Sequence, residues 1–151
     1  CASHDAIIEI NAHCRQPELC DIGCGETLLA DTDRLTEYVS VAAAEGPAVS
    51  VKVRTEVPDV DLPTVATAIE TAGADMIHVD AMDSEAVIQD VASSTDLFVI
   101  ANNGVRDRGT VQEYLSYGAD AVSVGRPSRE PTGAVMNRVA RAVDQWEVPA
   151  R

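Results

Sequence analysis

One lysine stands in this sequence, Lys52 in the apolar run "SVKVR" (50–54), against ten arginines and 25 acidic side chains. Val51 and Val53 flank it, so its ammonium is expected to be buried with the strand, and a buried cation is costly unless an anion or a strong acceptor faces it. Two occupants meet that need: a salt-bridge partner such as Glu9 or Asp80, or an electron-rich ligand. The second group able to do chemistry is a set of thiols. All four cysteines, Cys1, Cys14, Cys20 and Cys24, fall in the first 24 residues. No paired spacing recurs along the chain, so a reducing cytoplasm is expected and a disulfide framework is not. With His13, the last three thiols make C-x5-C-x3-C, which lies outside the compact zinc and ferredoxin spacings. No metal is assigned to them, although their sharing one loop keeps a metal or iron–sulfur reading open.

The elements that must position these groups repeat. "AGADMIHVDA" (72–81) and "YGADAVSVGR" (117–126) echo each other 45 residues apart, each with Gly-Ala-Asp closing a helix before a short apolar strand. An internal repeat of this kind marks a recurring strand–helix unit. "DAIIEIN" (5–11), "PAVSVKVR" (47–54) and "DLFVIAN" (96–102) complete five strands. Between them the sequence predicts a helix capped by Asp33 and stopped by Gly46, and a second opened by Asp61 and Pro63 and ended by Gly73. A third starts at Ser84, a fourth holds Val111, Tyr114 and Leu115 before Gly118, and the last runs through Val135, Val139, Val143 and Trp146. Strict alternation implies a parallel sheet covered by helices.

Strand phase then separates the parallel folds. Val49, Val51 and Val53 share one face of their strand, while Ser50, Lys52 and Arg54 share the other. Ile77 and Val79 oppose His78 and Asp80; Val122 and Val124 oppose Ser123 and Gly125; Ile8 and Ile10 oppose Glu9 and Asn11. A doubly wound sheet is apolar on both faces, whereas a barrel can turn polar groups inward at its catalytic end. The expected fold is therefore α/β, a partial TIM (β/α)8 barrel over residues 1–151. A closed barrel needs eight strands and about 250 residues. Five strands read as its C-terminal units, strands 4 to 8, with the N-terminal barrel half missing or supplied by an oligomeric partner.

A net charge of −14 in a chain that is 46% hydrophobic and 3% aromatic, with one lysine, points to a halophilic, archaeal type of protein. Dense carboxylates keep such a chain soluble in molar salt, where their repulsion is screened. A general basic surface for nucleic acid is not expected. No apolar run reaches the roughly 18 residues of a membrane span.

The stretch "EINAHCRQPELCDIGCGETLLAD" (9–31) resembles the tRNA-dihydrouridine synthases. Asn11 and Cys14 match an Asn-x-x-Cys motif, and Gly23, Gly25, Leu28 and Leu29 match Gly-x-Gly-x-x-Leu-Leu. The likeness continues through Lys52 and Arg54, the "VIAN" that ends at Asn102, and Gly125-Arg126, covering residues 5 to about 128. Dihydroorotate dehydrogenases share much of this layout.

The resemblance implies an FMN-dependent oxidoreductase that reduces or oxidises a pyrimidine C5=C6 bond. A tRNA uridine or a free pyrimidine would be the substrate and NAD(P)H the electron donor. FMN would lie across the barrel mouth with its phosphate between the last two strands. Asn102, Asn103 and Gly104 would hold it from one side and Gly125 and Arg126 from the other, the glycines by close backbone approach and the arginine by charge. Lys52 would face the flavin ring edge and the substrate, and Asn11 the pyrimidine edge. Cys14 would be the general acid, for which a thiol with an ordinary pKa near 8.5 is suited. The plain alternative for Cys14 is a small buried apolar residue. A non-catalytic flavin or phosphate binder is a further alternative. Three departures stand out. Arg15 follows the cysteine where the family usually has proline. Asp80 aligns with a flavin-contacting histidine, with His78 two residues earlier on the same face, and both are carried as cofactor-side residues. Only about 25 residues follow the last strand, without the appended helical module that grips tRNA.

Overall fold

The computed structural model describes residues 1–4 and 6–147. Its five strands are β1 (Ile8–Asn11), β2 (Val49–Arg54), β3 (Met76–Asp80), β4 (Phe98–Asn102) and β5 (Ala121–Ser123). All pair in parallel and in sequence order, β1-β2-β3-β4-β5. Two helical turns, α1 (Pro17–Cys20) and α2 (Thr27–Ala30), precede α3 (Thr32–Ala44), which returns the chain to β2. Then come α4 (Leu62–Thr71), α5 (Val87–Ser94) and α6 (Arg108–Ser116), and after β5 a 3-10 turn over Arg126–Arg129 and α7 (Ala134–Asp144). An unbroken sequential order belongs to a barrel wall, since a doubly wound sheet reverses direction at a switch point. The fold is a partial TIM barrel.

The two faces of the wall differ as the strand phase predicts. Val49, Val51, Val53, Ile77 and Val79 are 0% exposed beneath the helices, where each contributes roughly 1.5–3 kcal/mol by leaving water. Leu35 and Val39 of α3, Val65 and Ile69 of α4, and Ile88 and Val91 of α5 complete that core. The other face carries Glu9, Asn11, Ser50, Lys52, Arg54, His78 and Asp80.

The Gly-Ala-Asp repeat has a mechanical meaning. Asp75 and Asp120 each return to the start of a neighbouring strand, where Oδ2 accepts from the backbone N–H of Val49 and of Val99, both at 2.8 Å. Each aspartate's own N–H donates back to the same residue's carbonyl at 2.9 Å. Gly73 and Gly118 complete the unit: a Cβ on either would lie 3.1 Å from an alanine methyl, Ala43 or Ala92, on the preceding helix. A two-way hydrogen bond and a tight helix contact thus recur as one clamp.

Several local expectations shift. Asp5, where the first strand was expected to begin, lies outside the described residues. Asp31, not Asp33, caps α3, because its side chain reaches the Arg34 N–H at 3.2 Å and the helix starts two residues earlier. Asp61 caps α4 as expected. Ser84 does not start a helix: its hydroxyl is held by Glu56 at 3.3 Å, and α5 begins at Val87. In α7 the inward stripe is Val135, Val139 and Ala142. Val143 turns outward at 44% exposure, and Trp146 lies past the helix end.

Among the described residues β1 pairs only with β2 and β5 only with β4, leaving two parallel edges open. Phe98 on the inner face is 44% exposed. Open edges and uncovered apolar side chains favour association. The 151-residue polypeptide by itself is expected to self-associate or fold poorly, and light scattering that found a compact, stable monomer would contradict this.

Candidate active site

Parallel strands bring their carboxyl ends to one end of the sheet, and inner-face residues there form rows across it. Asn11 registers with Lys52 and Lys52 with His78. In the next row toward the mouth, Arg54 registers with Asp80, Asp80 with Asn102, and Asn102 with Ser123. A cleft of about 1090 Å³ opens over these ends. Lys52, Asp80, Asn102, Asn103, Gly104, Gly125 and Arg126 all line it, joined by His13, Arg106 and Arg129. Asn11, Cys14 and His78 are not among the residues that line it.

The loop after β4 is supported from below. Tyr114 of α6 is 2% exposed and its hydroxyl donates to the Asn103 carbonyl at 2.9 Å. Burial pushes its phenol pKa well above the usual value, so it stays a protonated donor. Asn103 and Gly104 both take positive φ, 101° and 65°. A Cβ at Gly104 would come no nearer than 4.0 Å to Arg106, and one at Gly125 would lie 3.9 Å from Asn102 Oδ1. Protein packing therefore leaves both positions room, and added side chains would take space from the cleft instead.

Charge is distributed unevenly. Four of the eleven Lys and Arg residues, Lys52, Arg106, Arg126 and Arg129, line this cleft, and Asp80 is the one carboxylate among its described lining residues. Lys52, Arg126 and Arg129 make no ion pair among the described residues. The salt bridge considered for Lys52 is thus absent there: Glu9 turns to His78 and Asp80 to His13. Nor does Arg54 reach Glu9, which sits two rows deeper. Its guanidinium instead holds Glu26 at 3.0 Å and the Thr55 carbonyl at 3.2 Å, tying β2 to the loop before α2.

Two imidazole–carboxylate pairs cross the sheet face from β1 and its loop to β3. His13 Nε2 lies 3.0 Å from Asp80 Oδ2, and His78 Nδ1 lies 3.0 Å from Glu9 Oε2, which also accepts from Ser50 at 3.3 Å. Burial lowers the His78 pKa; the Glu9 hydrogen bond opposes that shift, and the Lys52 charge adds to it. A neutral His78 donates from Nδ1 to Glu9 and keeps Nε2 as an acceptor. His78 Nε2 and Asp80 Oδ1 are buried without a partner among the described residues. Buried acceptors of this kind are normally met by an ordered water or by a donor on a bound molecule.

The Cys14 loop is folded by its neighbours. Asn11 Oδ1 accepts from the N–H groups of His13 and Cys14, both at 3.1 Å, which leaves its amide nitrogen for a ligand. The Cys14 carbonyl accepts from Glu26 N–H at 2.9 Å and from the Cys20 thiol at 3.6 Å. Among the described residues no three His, Cys, Asp or Glu side chains are placed to share a metal ion. His13, weighed in the sequence only beside the thiols, is the main lining residue that sequence reasoning missed. Its partner is 67 residues away, so no local pattern signals it. Arg129 had a weak signal, a second arginine closely following Gly125-Arg126.

Polar side chains gathered at the carboxyl ends of a sequential parallel sheet define a barrel enzyme's catalytic end. The chain belongs to the dihydrouridine synthase family, which it matches over residues 2–145. An uncharacterized protein of Methanocaldococcus jannaschii is 30% identical over 135 residues, covering 83% of this chain and 51% of the relative. The chain thus spans about half the length of that curated relative. Among solved structures it is similar to DHODH of Eimeria tenella in complex with ferulenol, with a TM-score of 0.76 at 16% identity over 91% of this chain and 48% of that one. FabK of Thermotoga maritima gives a TM-score of 0.55 at 20% identity, over 79% and 41% of the two chains. A mandelate oxidase variant with an FMN adduct gives 0.57 at 21%, over 72% and 39%. At these identities the structures establish the shared fold.

Proposed function

We propose that the cleft is the FMN site of an oxidoreductase acting on a pyrimidine C5=C6 bond, with uridine in tRNA as substrate and NAD(P)H as electron donor. The observation that carries this reading is the gathering of four cations around Asn102–Gly104 and Gly125 in a chain of net charge −14. A phosphate matches that lining, since arginine forks and approachable backbone bind its oxygens. Asn103, Gly104, Gly125, Arg126 and Arg129 would hold the phosphate. Lys52 would face the flavin ring edge, and the cleft-lining Asp80, whose Oδ1 has no partner among the described residues, suits a hydroxyl or N–H donor of the cofactor. When bound, reduced FMN supplies a hydride to one carbon of the double bond. Cys14 gives its thiol proton to the adjacent carbon and is reprotonated from solvent, while the Asn11 amide nitrogen orients the ring. The low lysine content and high acidity support a salt-adapted cytoplasmic protein.

Lys52→Met in the full-length protein tests the cofactor reading. A charge-assisted contact is worth roughly 1.5–3 kcal/mol, so FMN affinity is expected to fall about tenfold or more in a fluorescence titration. The flavin potential is expected to fall too, because a nearby cation stabilises the reduced, anionic form. A variant that unfolds, or that holds FMN with unchanged affinity and potential, would assign Lys52 to architecture.

A further inference from the structure

We propose that an arginine track across α6 and α7 carries the phosphate backbone of an RNA substrate away from the cleft. The proposal rests on the cleft being a uridine site. Residues 1–100 contain nineteen acidic and four basic side chains, whereas residues 101–151 contain six and seven. The cations of that last third are not dispersed. Arg108, Arg138 and Arg141 line one small hollow of about 160 Å³ at the α6–α7 seam, with Ala142 and Gln145. Arg106, Arg126 and Arg129 line the cleft. The two groups join where Arg138 Nε donates to the Arg106 carbonyl at 3.4 Å. All six side chains are exposed.

Folding alone does not account for this arrangement. α7 buries Val135, Val139 and Ala142, so its apolar packing needs neither Arg138 nor Arg141, and the one bond Arg138 gives the fold is to the Arg106 carbonyl. These two sit at i and i+3 on the helix, where like charges repel, and Arg108 is brought against them from α6. Of the six, only Arg106 has a carboxylate within ion-pair distance among the described residues, Asp107 at 3.8 Å. Arg108 finds only the Gln112 carboxamide, whose oxygen, turned toward it, accepts from Nε at 3.0 Å. In a chain with 25 carboxylates, the seam arginines Arg108, Arg138 and Arg141, without carboxylate partners among the described residues, point to an external polyanion. Ten of the chain's eleven cations are arginine, so the residue type is not peculiar to the seam, but it suits a phosphate backbone. At about 1 M salt the Debye length is only about 3 Å, which removes diffuse attraction but leaves bidentate guanidinium–phosphate contacts. Continuity with the cleft supplies the geometry, for a reacting base there needs its backbone alongside.

The test measures binding of a fluorescently labelled, unmodified tRNA transcript to the full-length protein across a KCl series, beside a separate FMN titration. Replacing Arg108, Arg138 and Arg141 together by glutamine is expected to weaken tRNA binding about tenfold or more at the lowest salt. The slope of log affinity against log salt is expected to fall by about 2–3, since each lost phosphate contact removes roughly 0.7–0.9. FMN affinity is expected to stay unchanged, and the triple lysine variant to restore most of the slope. A wild-type protein that ignores the transcript, or a glutamine variant with unchanged affinity and slope, overturns the track. So does polyglutamate competing as well as RNA. Loss of FMN binding by the wild type with the RNA result intact would overturn the cofactor reading and leave the track standing.

Discussion

Replacing Cys14 by alanine in the full-length protein is expected to leave FMN bound and to lower product formation by about 10²-fold or more, the range for losing a general acid. Binding should survive because no cleft-lining residue is altered and the loop is anchored through the Cys14 backbone, its N–H donating to the Asn11 carboxamide oxygen and its carbonyl accepting from Glu26 N–H. The thiol is the part of Cys14 not committed to the fold, since among the described residues its carbonyl and N–H make the anchoring bonds. Mixing prereduced enzyme with substrate and following flavin reoxidation checks this directly. Cys14→Ser, which keeps a weaker acid in place, should fall between alanine and wild type. Unchanged turnover in the alanine variant would return Cys14 to a packing role.

Gly25→Ala is expected to be the most damaging single methyl addition in this loop. Gly25 has φ of 65°, and a Cβ there would overlap the Cys14 carbonyl oxygen, a backbone atom that cannot swing aside. Left-handed backbone costs an L-residue roughly 1–2 kcal/mol, and forced overlap about 1–3 more. A Tm loss of about 4–20 °C follows at roughly 2–4 °C per kcal/mol for a protein of 150–250 residues. Faster alkylation of Cys14 should accompany it as the loop moves. Gly46→Ala is the control: its φ is 88° but nothing lies within 4 Å of an added Cβ, so it bears the backbone term alone. Equal melting losses in the two variants would remove the special role given to the Gly25–Cys14 contact.

The frame was legible because side-chain alternation has a strict period. Valines at 49, 51 and 53 could face only one layer, and the opposite phase put Lys52 and Asp80 on the cleft side. Helix limits were less legible, since competing hydrogen bonds decide them: Asp31 and Asp33 are both plausible caps, and Ser84 is claimed by Glu56, a partner 28 residues away. Of the site, the strand-end residues could be read because parallel strands must converge. What joins them laterally could not. The His13–Asp80 and His78–Glu9 pairs link residues nearly seventy positions apart, and the arginine seam depends on how two helices face each other.

The aspartate clamps have a consequence for how such a chain can change. They fix where β2 and β4 begin, at the end of the sheet away from the cleft, and a slip of one residue would turn every side chain to the wrong face. Position along the strand is thus set at the inert end, like a ruler held at its zero mark. Loops at the opposite end are relieved of that duty. The segments after β2 and β3 are therefore open to insertion, deletion or grafting, with Lys52 and Asp80 kept at their heights above the clamp. A designer wishing to alter what the cleft accepts would leave Asp75 and Asp120 untouched, keep the buried Thr55 and Ala81, and vary the exposed Pro58, Asp59, Asp83 and Ala86.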